Sequence, residues 1–151
     1  MRIDDPRLED RLGELEPPYK SRGEAQVGRL LDRYGIPFFY ELPTLVFDRG
    51  LYRIWHPDFS LMQHEGLIIE YAGMPDVPDY RDGIRHKRQV YEANQIPAVF
   101  LYPQDLSGPD WPERVIERID RAARQARTAI DVPYAPEARR FRESGGIGPP
   151  S

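Results

Sequence analysis

Apolar residues recur at helical spacing between residues 21 and 34 of the chain. Ser21, followed three positions later by Glu24, has the form of a capping box, which marks the start of a helix. Gly35, with Pro37 two positions further on, marks its end. The apolar positions of this segment are Ala25, Val27, Leu30, Leu31 and Tyr34. The pattern therefore predicts a helix over residues 21–34.

Three extended segments follow this helix, at residues 38–47, 51–61 and 67–71, and Pro43 interrupts the first of them. Two turn sequences separate them, one at residues 48–50 and one at residues 63–66. The third segment is apolar and β-branched at its centre, which is typical of a strand that is covered on both faces. Short turns between successive strands predict an antiparallel meander.

A second helical pattern covers residues 79–94, and a buried strand is expected at residues 96–102. A strand that follows a helical crossover lies parallel to an earlier strand of the same sheet. A last helix is expected to begin near Asp110 and Pro112. We therefore predict an α/β fold with a mixed sheet flanked by helices. Its core order is helix, three strands, helix, strand, and a C-terminal helix follows.

The two ends of the chain differ from this central pattern. Residues 1–20 are expected to form an N-terminal arm with a narrow leucine stripe, which could dock on the core or on a second copy or form a loosely packed leader helix. Residues 21–130 form the predicted domain. Residues 131–151 lose periodicity and end in Ser-Gly-Gly-Ile-Gly-Pro-Pro-Ser, and we expect them to be a disordered C-terminal tail.

Composition excludes several classes of protein. The chain has 151 residues and no cysteine, which rules out a disulfide scaffold, a thiolate zinc finger and a cysteine nucleophile. Its mean hydropathy is -0.66, and it lacks the run of ~20 apolar residues that a membrane span requires. The charged N-terminus does not resemble a signal peptide, so the cytoplasm is the expected compartment. The net charge of -4 argues against a protein held on nucleic acid by overall charge alone.

Two carboxylates stand out within this pattern. Asp58 and Glu70 lie on consecutive predicted strands joined by a turn, so they can lie side by side. Glu70 directly follows Leu67-Ile68-Ile69, where a covered strand would continue apolar. Burying two close carboxylates is costly, whereas a divalent cation makes the pair favourable, and oxygen ligands suit Mg2+. From the residues alone, a strand-end glutamate in water and a turn aspartate remain an equally open interpretation.

The segments His56-Pro57-Asp58-Phe59 and Ile68-Ile69-Glu70-Tyr71-Ala72-Gly73 resemble the PD-(D/E)xK nuclease superfamily. Residues 21–102 also match the element order of the restriction-endonuclease-like fold, which is the fold the resemblance implies. It further implies Mg2+, for which Mn2+ would substitute, held by Asp58, Glu70 and the Tyr71 backbone carbonyl. The expected partner is nucleic acid, with DNA favoured.

One position departs from the family pattern. The usual lysine follows the second carboxylate by two residues, and here that position is Ala72. Subgroups that read I-E-x-x-G carry their lysine on the following helix, where Lys87 lies, and Lys87 is one of only two lysines among 21 basic residues. A compact ammonium suits this task better than a guanidinium. The alternative is a surface lysine in the basic run at residues 85–88.

Further candidates come from the first helix and from the arginines. Glu24 matches the family glutamate that reaches the metal site, and equally it is the capping partner of Ser21; Glu41 is a weaker substitute. The arginines expected to contact phosphates are Arg22, Arg85 and Arg88. The arginines of the last helix follow acidic residues at four-residue spacing, which predicts a salt-bridged surface there.

These observations predict a Mg2+-dependent endonuclease that cleaves nucleic acid in repair, recombination or restriction. The alternative is a nuclease-like domain that has lost activity and serves as a binding or assembly module, which Ala72 favours. A small-molecule hydrolase has no support, because the sequence lacks a nucleophile elbow and a glycine-rich phosphate loop. A homodimer or a partner protein remains open, since one site cuts one strand.

Overall fold

A computed structural model describes residues 17–131, with side chains described through residue 129. Residues 1–16 of the predicted arm, and the predicted tail from residue 132, lie outside this range. The helices within it are α1 (Arg22–Arg33), α2 (Pro78–Ala93) and α3 (Trp111–Asp131), and a short 3-10 helix at Pro103–Leu106 precedes α3. The strands are β1 (Phe39–Tyr40), β2 (Thr44–Asp48), β3 (Leu51–Trp55), β4 (Phe59–Leu61), β5 (Leu67–Tyr71) and β6 (Ala98–Leu101).

The main sheet has four strands in the order β1-β4-β5-β6. β4 is antiparallel to β1 and to β5, whereas β5 and β6 are parallel because α2 crosses over between them. The predicted α/β class, the mixed sheet flanked by helices and the C-terminal helix are therefore confirmed.

The first two extended segments are each divided in two: the interruption at Pro43 was expected, whereas the expectation of a continuous strand at 51–61 is corrected. Tyr40 pairs with Phe59 and Thr44 pairs with Trp55, so a single register runs through both parts. Pro43 and Pro57 lie in the gap between them, and proline has no N–H to donate to a ladder. The outer parts, β2 and β3, consequently form a separate two-stranded hairpin.

Side chains, rather than a strand ladder, tie this hairpin to α2. The side-chain amide of Asn94, just after α2, donates to the Phe47 carbonyl at 3.0 Å, and its oxygen accepts from the Phe47 N–H at 2.9 Å. Asp48 is buried and lies 2.9 Å from His86 Nε2. Val46 also packs into the core beneath the hairpin. The opposite face of the hairpin exposes four large apolar side chains, those of Leu45, Phe47, Tyr52 and Ile54.

The main sheet separates two apolar layers. Successive residues of β4, β5 and β6 point to opposite faces of the sheet. One face is covered by α1 and α3, and the other is covered by α2. Those on the face of α1 and α3 are Phe59, Leu61, Leu67, Ile69, Val99 and Leu101. Ile68, Ala72 and Phe100 pack with α2 residues on the other face. Glu70 lies between Ile68 and Ala72 in the same alternation, so its carboxylate points into the layer under α2.

The first turn of α1 lies directly against the end of β5. A Cβ atom added to Gly23 would lie 2.0 Å from Cζ of the Tyr71 ring, a distance that real contacts do not reach. Glycine at this position therefore allows the close approach that places Glu24 near the end of β5.

The remaining expectations concern α3 and membranes. Arg121 pairs with Glu117 at 2.8 Å and Arg124 pairs with Asp120 at 3.1 Å, which confirms the predicted salt-bridged surface.

Within residues 17–131, no helix has the length and apolarity needed to cross a membrane.

We expect Gly23→Ala to lower the free energy of unfolding by about 1–3 kcal/mol, because the new methyl group displaces the Tyr71 ring. Urea denaturation measures the effect. Gly83→Ala on α2 is the matched control, since a Cβ there meets nothing within 4 Å and alanine should stabilise by about 0.4–1 kcal/mol. In a Tyr71→Ala background, Gly23→Ala should no longer destabilise; if it still did, the contact with Tyr71 would not be the cause.

Candidate active site

Asp58 and Glu70 face each other across the pairing of β4 with β5. Phe59 pairs with Ile69, so the next step along the register brings Asp58 opposite Glu70. The Asp58 N–H donates to Glu70 Oε1 at 3.3 Å, and the Tyr71 N–H donates to Asp58 Oδ2 at 2.7 Å. Each carboxylate is therefore hydrogen-bonded to the backbone of the other strand, and the two predicted site residues form one pair.

Glu70 is the more deeply buried partner, with 2% of its surface exposed. The Tyr91 hydroxyl, from α2, donates to Glu70 Oε2 at 2.5 Å. Burial and the adjacent Glu70 charge raise the pKa of Tyr91, which keeps its hydroxyl protonated as a donor. Tyr91 thus offsets part of the cost of placing a carboxylate in this layer.

Lys87 approaches the same carboxylate from α2. Its Nζ lies 3.5 Å from Glu70 Oε2, and 44% of its side chain is exposed. Lys87 precedes Tyr91 by one helical turn, so both side chains lie on the face of α2 that covers Glu70. The structure therefore brings a lysine to the carboxylate pair, although the strand position where the family carries its lysine is the buried Ala72.

Glu24 lies on the α1 side of the sheet, where its hydrogen bonds are to the helix cap and to Tyr40. Ser21 Oγ accepts from the Glu24 N–H at 3.1 Å and donates to Glu24 Oε2 at 3.2 Å. The Tyr40 hydroxyl donates to Glu24 Oε1 at 2.5 Å. The Glu24 charge also contributes to raising the pKa of Asp58, so the two carboxylates share one electrostatic environment. The two roles that the sequence left open are compatible in one residue.

Asp58 carries the largest electrostatic strain of the site. Burial, followed by the charge of Glu70, raises its pKa from 3.8 to about 7. The Tyr71 N–H and the charge of Lys87 act in the opposite direction. Among the described residues, none donates a hydrogen bond to Asp58 Oδ1. That oxygen is therefore available to a cation or to water.

A cleft of about 270 Å³ opens beside the pair. Since a water molecule occupies roughly 30 Å³ of liquid, the cleft has room for several waters or a phosphate group. Its walls are formed by Ile54, Trp55, His56, Pro57, Glu70, Lys87 and Tyr91. Glu70 and Lys87 therefore line the same cleft, with the Lys87 side chain partly exposed and Glu70 buried at its wall.

The oxygen atoms of the site fit a hard divalent cation. Asp58 and Glu70 supply carboxylates, and the Tyr71 carbonyl accepts only a long contact of 3.5 Å from the Tyr80 hydroxyl. No group of three His, Asp or Glu side chains that could hold a metal occurs among the described residues. Mg2+ does not require one, because it usually keeps several waters and binds through one or two carboxylates. The residues present therefore fit Mg2+ with incomplete protein ligation.

The structure does not bring the predicted phosphate-binding arginines to the carboxylates. Arg22 is exposed at the start of α1, and Arg85 is exposed and lies 3.5 Å from Asp82. Arg88 lies over the Phe100 ring at 4.3 Å and donates to the Tyr102 hydroxyl at 2.5 Å. In the described part of the chain, no ion pair joins any of the three to Asp58 or Glu70.

Sequence reasoning missed the two tyrosines that hold the carboxylates. Tyr91 had a detectable signal, because it follows Lys87 by four residues on a predicted helix. Tyr40 had none, since its contact with Glu24 joins residues 16 positions apart through the packing of α1 on β1. Comparison with protein-family models and with curated proteins gives no match, so the interpretation of the site depends on its geometry.

The raised pKa of Asp58 predicts a specific pH dependence of stability. Because the folded pKa of about 7 lies above the ordinary value of 3.8, the folded protein retains a proton that the unfolded chain loses. This contribution to the free energy of unfolding is full below about pH 4 and is lost as the pH rises through 7. In EDTA, the wild type should therefore lose at least ~1 kcal/mol more than Asp58→Asn between pH 5 and pH 8.

Urea denaturation at the two pH values measures this difference, with Asp32→Asn, an exposed change on α1, as the control. Asp32→Asn should keep the wild-type dependence on pH. Equal pH dependence in the wild type and Asp58→Asn would contradict the assigned strain.

Proposed function

We propose that this protein is a Mg2+-dependent endonuclease of the PD-(D/E)xK type that cleaves DNA. The observation that carries the proposal is the opposition of Asp58 and Glu70, with Lys87 Nζ 3.5 Å from Glu70 Oε2 beside an open cleft. Two carboxylates can hold a divalent ion, and a neighbouring ammonium can stabilise developing negative charge, which together suit metal-assisted phosphodiester hydrolysis.

Asp58, Glu70 and the Tyr71 carbonyl would hold the ion. When bound, Mg2+ would lower the pKa of a water molecule bound to it and would offset the negative charge of the phosphate. The protein maintains this arrangement by fixing the carboxylates before the ion arrives. The Tyr71 N–H orients Asp58 at 2.7 Å, and the Tyr91 hydroxyl orients Glu70 at 2.5 Å. Such preorganisation avoids rearrangement during the reaction.

Lys87 and Glu24 have different roles in this proposal. The Lys87 ammonium faces the cleft, where it would orient the attacking water and stabilise the negative charge that develops on the phosphate oxygens. Glu24, held by Tyr40 and Ser21, lies further out and completes the acidic surroundings of Asp58. Exposed Arg22 and Arg85 would contact the DNA backbone with a strength that falls as salt rises.

Arg88 is a weaker candidate for DNA binding than the sequence suggested. Its guanidinium is already engaged by the Phe100 ring and the Tyr102 hydroxyl. We therefore assign it a packing role between α2 and the rings of Phe100 and Tyr102, with a contribution to the local positive potential.

The second candidate function is a catalytically inactive nucleic-acid-binding or assembly module. The observation that favours it is Ala72, which is fully buried in the core where the usual lysine would reach the site. Retention of metal binding and cleavage distinguishes the active enzyme from this module. Cutting both strands of a duplex would require a homodimer or a partner protein, since one site cuts one strand.

The metal proposal is tested by calorimetric titration with Mg2+ and Mn2+, together with nicking of supercoiled DNA. The wild type should bind the ion and nick DNA only when it is present. Asp58→Asn should lose both properties, because it removes the charge from the ligand with the accessible oxygen. Asp32→Asn on α1 should behave as the wild type. No ion binding by the wild type would overturn the proposed enzyme and favour the binding module.

The role of Lys87 is tested separately by substitution to alanine and arginine. Lys87→Ala should lower the cleavage rate by about 10²–10³ while leaving the affinity for Mg2+ within a fewfold of the wild type, because the ammonium acts on the phosphate and water. Lys87→Arg should restore little activity, since the guanidinium is larger and cannot release a proton. Single-turnover cleavage measures both variants. A wild-type rate for Lys87→Ala would remove Lys87 from the mechanism.

A further inference from the structure

The second lysine of the chain also lies at the acidic site. Only Lys20 and Lys87 are lysines among the 21 basic residues. Lys87 approaches Glu70 from α2, whereas Lys20 immediately precedes the capping serine of α1. Since α1 and α2 pack on opposite faces of the sheet, Lys20 and Lys87 belong to elements on opposite sides of the carboxylate pair.

Lys20 is anchored by its backbone and by its side chain. Its N–H donates to the Tyr40 hydroxyl at 3.2 Å, and the same hydroxyl donates to Glu24. Its ammonium forms an ion pair with Glu41, although 65% of the Lys20 side chain remains exposed. The hydrogen bond to Glu41 raises the pKa of Lys20, and the charges of Glu24 and Asp58 act in the same direction. Lys20 is therefore a cation within the field of the proposed metal site.

Glu41 is held in place by a costly backbone conformation. Its φ is 55°, in the left-handed region, which is unfavourable for an L residue with a full side chain. The Glu41 N–H donates to the Asp58 carbonyl at 3.1 Å, so the conformation is fixed by the same proline-interrupted segment that presents Asp58. The partner of Lys20 is consequently coupled to the backbone of the candidate metal ligand.

We propose that Lys20 is a second phosphate-binding residue of the DNA site. In the free protein the Lys20 ammonium is paired with Glu41, and on DNA binding a backbone phosphate would replace Glu41 as its partner. Lys87 would act at the phosphate that is cut, and Lys20 would contact a neighbouring phosphate of the same strand on the side of α1. This inference rests on the proposed function. It goes beyond the family pattern, because Lys20 lies outside the matched motifs.

The proposal predicts opposite effects for the two partners of the ion pair. Lys20→Gln removes one phosphate contact, so the dissociation constant for DNA should rise about five- to tenfold near 0.1 M salt, and the slope of log affinity against log salt should decrease by about 1. Glu41→Gln frees the ammonium, so binding should become about two- to fivefold tighter. Lys20→Arg retains the charge and should bind DNA as the wild type does.

Fluorescence anisotropy of a labelled duplex, with Ca2+ replacing Mg2+, measures binding, and nicking of supercoiled DNA with Mg2+ measures cleavage. Arg29→Gln is the matched control, because it removes one positive charge from an exposed position on α1 and should leave the affinity near that of the wild type. Thermal denaturation of each variant checks that the fold is kept.

The outcomes separate this inference from the function on which it rests. A wild type that cleaves DNA, with Lys20→Gln binding no more weakly than Arg29→Gln, would overturn the role of Lys20 alone. Weaker binding by Glu41→Gln would overturn the exchange between Glu41 and phosphate. A wild type that neither binds nor cleaves DNA would overturn the proposed function together with this inference.

Discussion

The opposition of Asp58 and Glu70 is the constraint on which the rest of the site depends. Two carboxylates in a largely buried place repel each other, yet the pairing of Phe59 with Ile69 forces them together. A slip of one residue would turn the apolar side chains of β4 and β5 out of both layers. The hydrophobic core therefore holds two charges where electrostatics alone would separate them, and the raised pKa of Asp58 reflects that conflict.

Groups from both layers of the fold surround this pair: those from α2 offset its charge, whereas the charge of Glu24 adds to the repulsion on Asp58. From the face of α2 come the ammonium of Lys87 and the hydroxyl of Tyr91, which both reach Glu70. From the face of α1 comes Glu24, held in place by Tyr40. The prolines interrupt the strand ladder next to Asp58, at the level where these groups meet. The site is thus an interruption of the sheet with a helix on each side.

The parts of this arrangement that the sequence predicts are those governed by local periodicity. Alternation placed Asp58 and Glu70 on adjacent strands, whereas Lys87 was singled out by the family resemblance, with its helical position and the scarcity of lysine in support. Glu24 was ambiguous because a capping box and a site carboxylate have the same local signature. Contacts that depend on how a helix packs on the sheet, such as Tyr40 with Glu24, leave no periodic trace.

The structure changes two expectations for identifiable physical reasons. The strand predicted at 51–61 was too long, because the missing N–H groups of Pro43 and Pro57 break the ladder on both sides at the same level. Arg88 looked like a phosphate contact in a basic run, but the aromatic rings of β6 and of the segment after it engage its guanidinium. Charge along a sequence does not indicate which arginines a neighbouring aromatic surface will bind.

The separation of the β2–β3 hairpin from the main sheet has a consequence for how the protein can vary. The hairpin supplies Ile54 and Trp55 to one wall of the cleft, but it shares no strand ladder with β4 and β5. Its tip can therefore accept insertions, deletions or exchange for another hairpin without shifting the register that sets the carboxylates. Evolution could in this way reshape the rim of the cleft while the reactive centre stays unchanged.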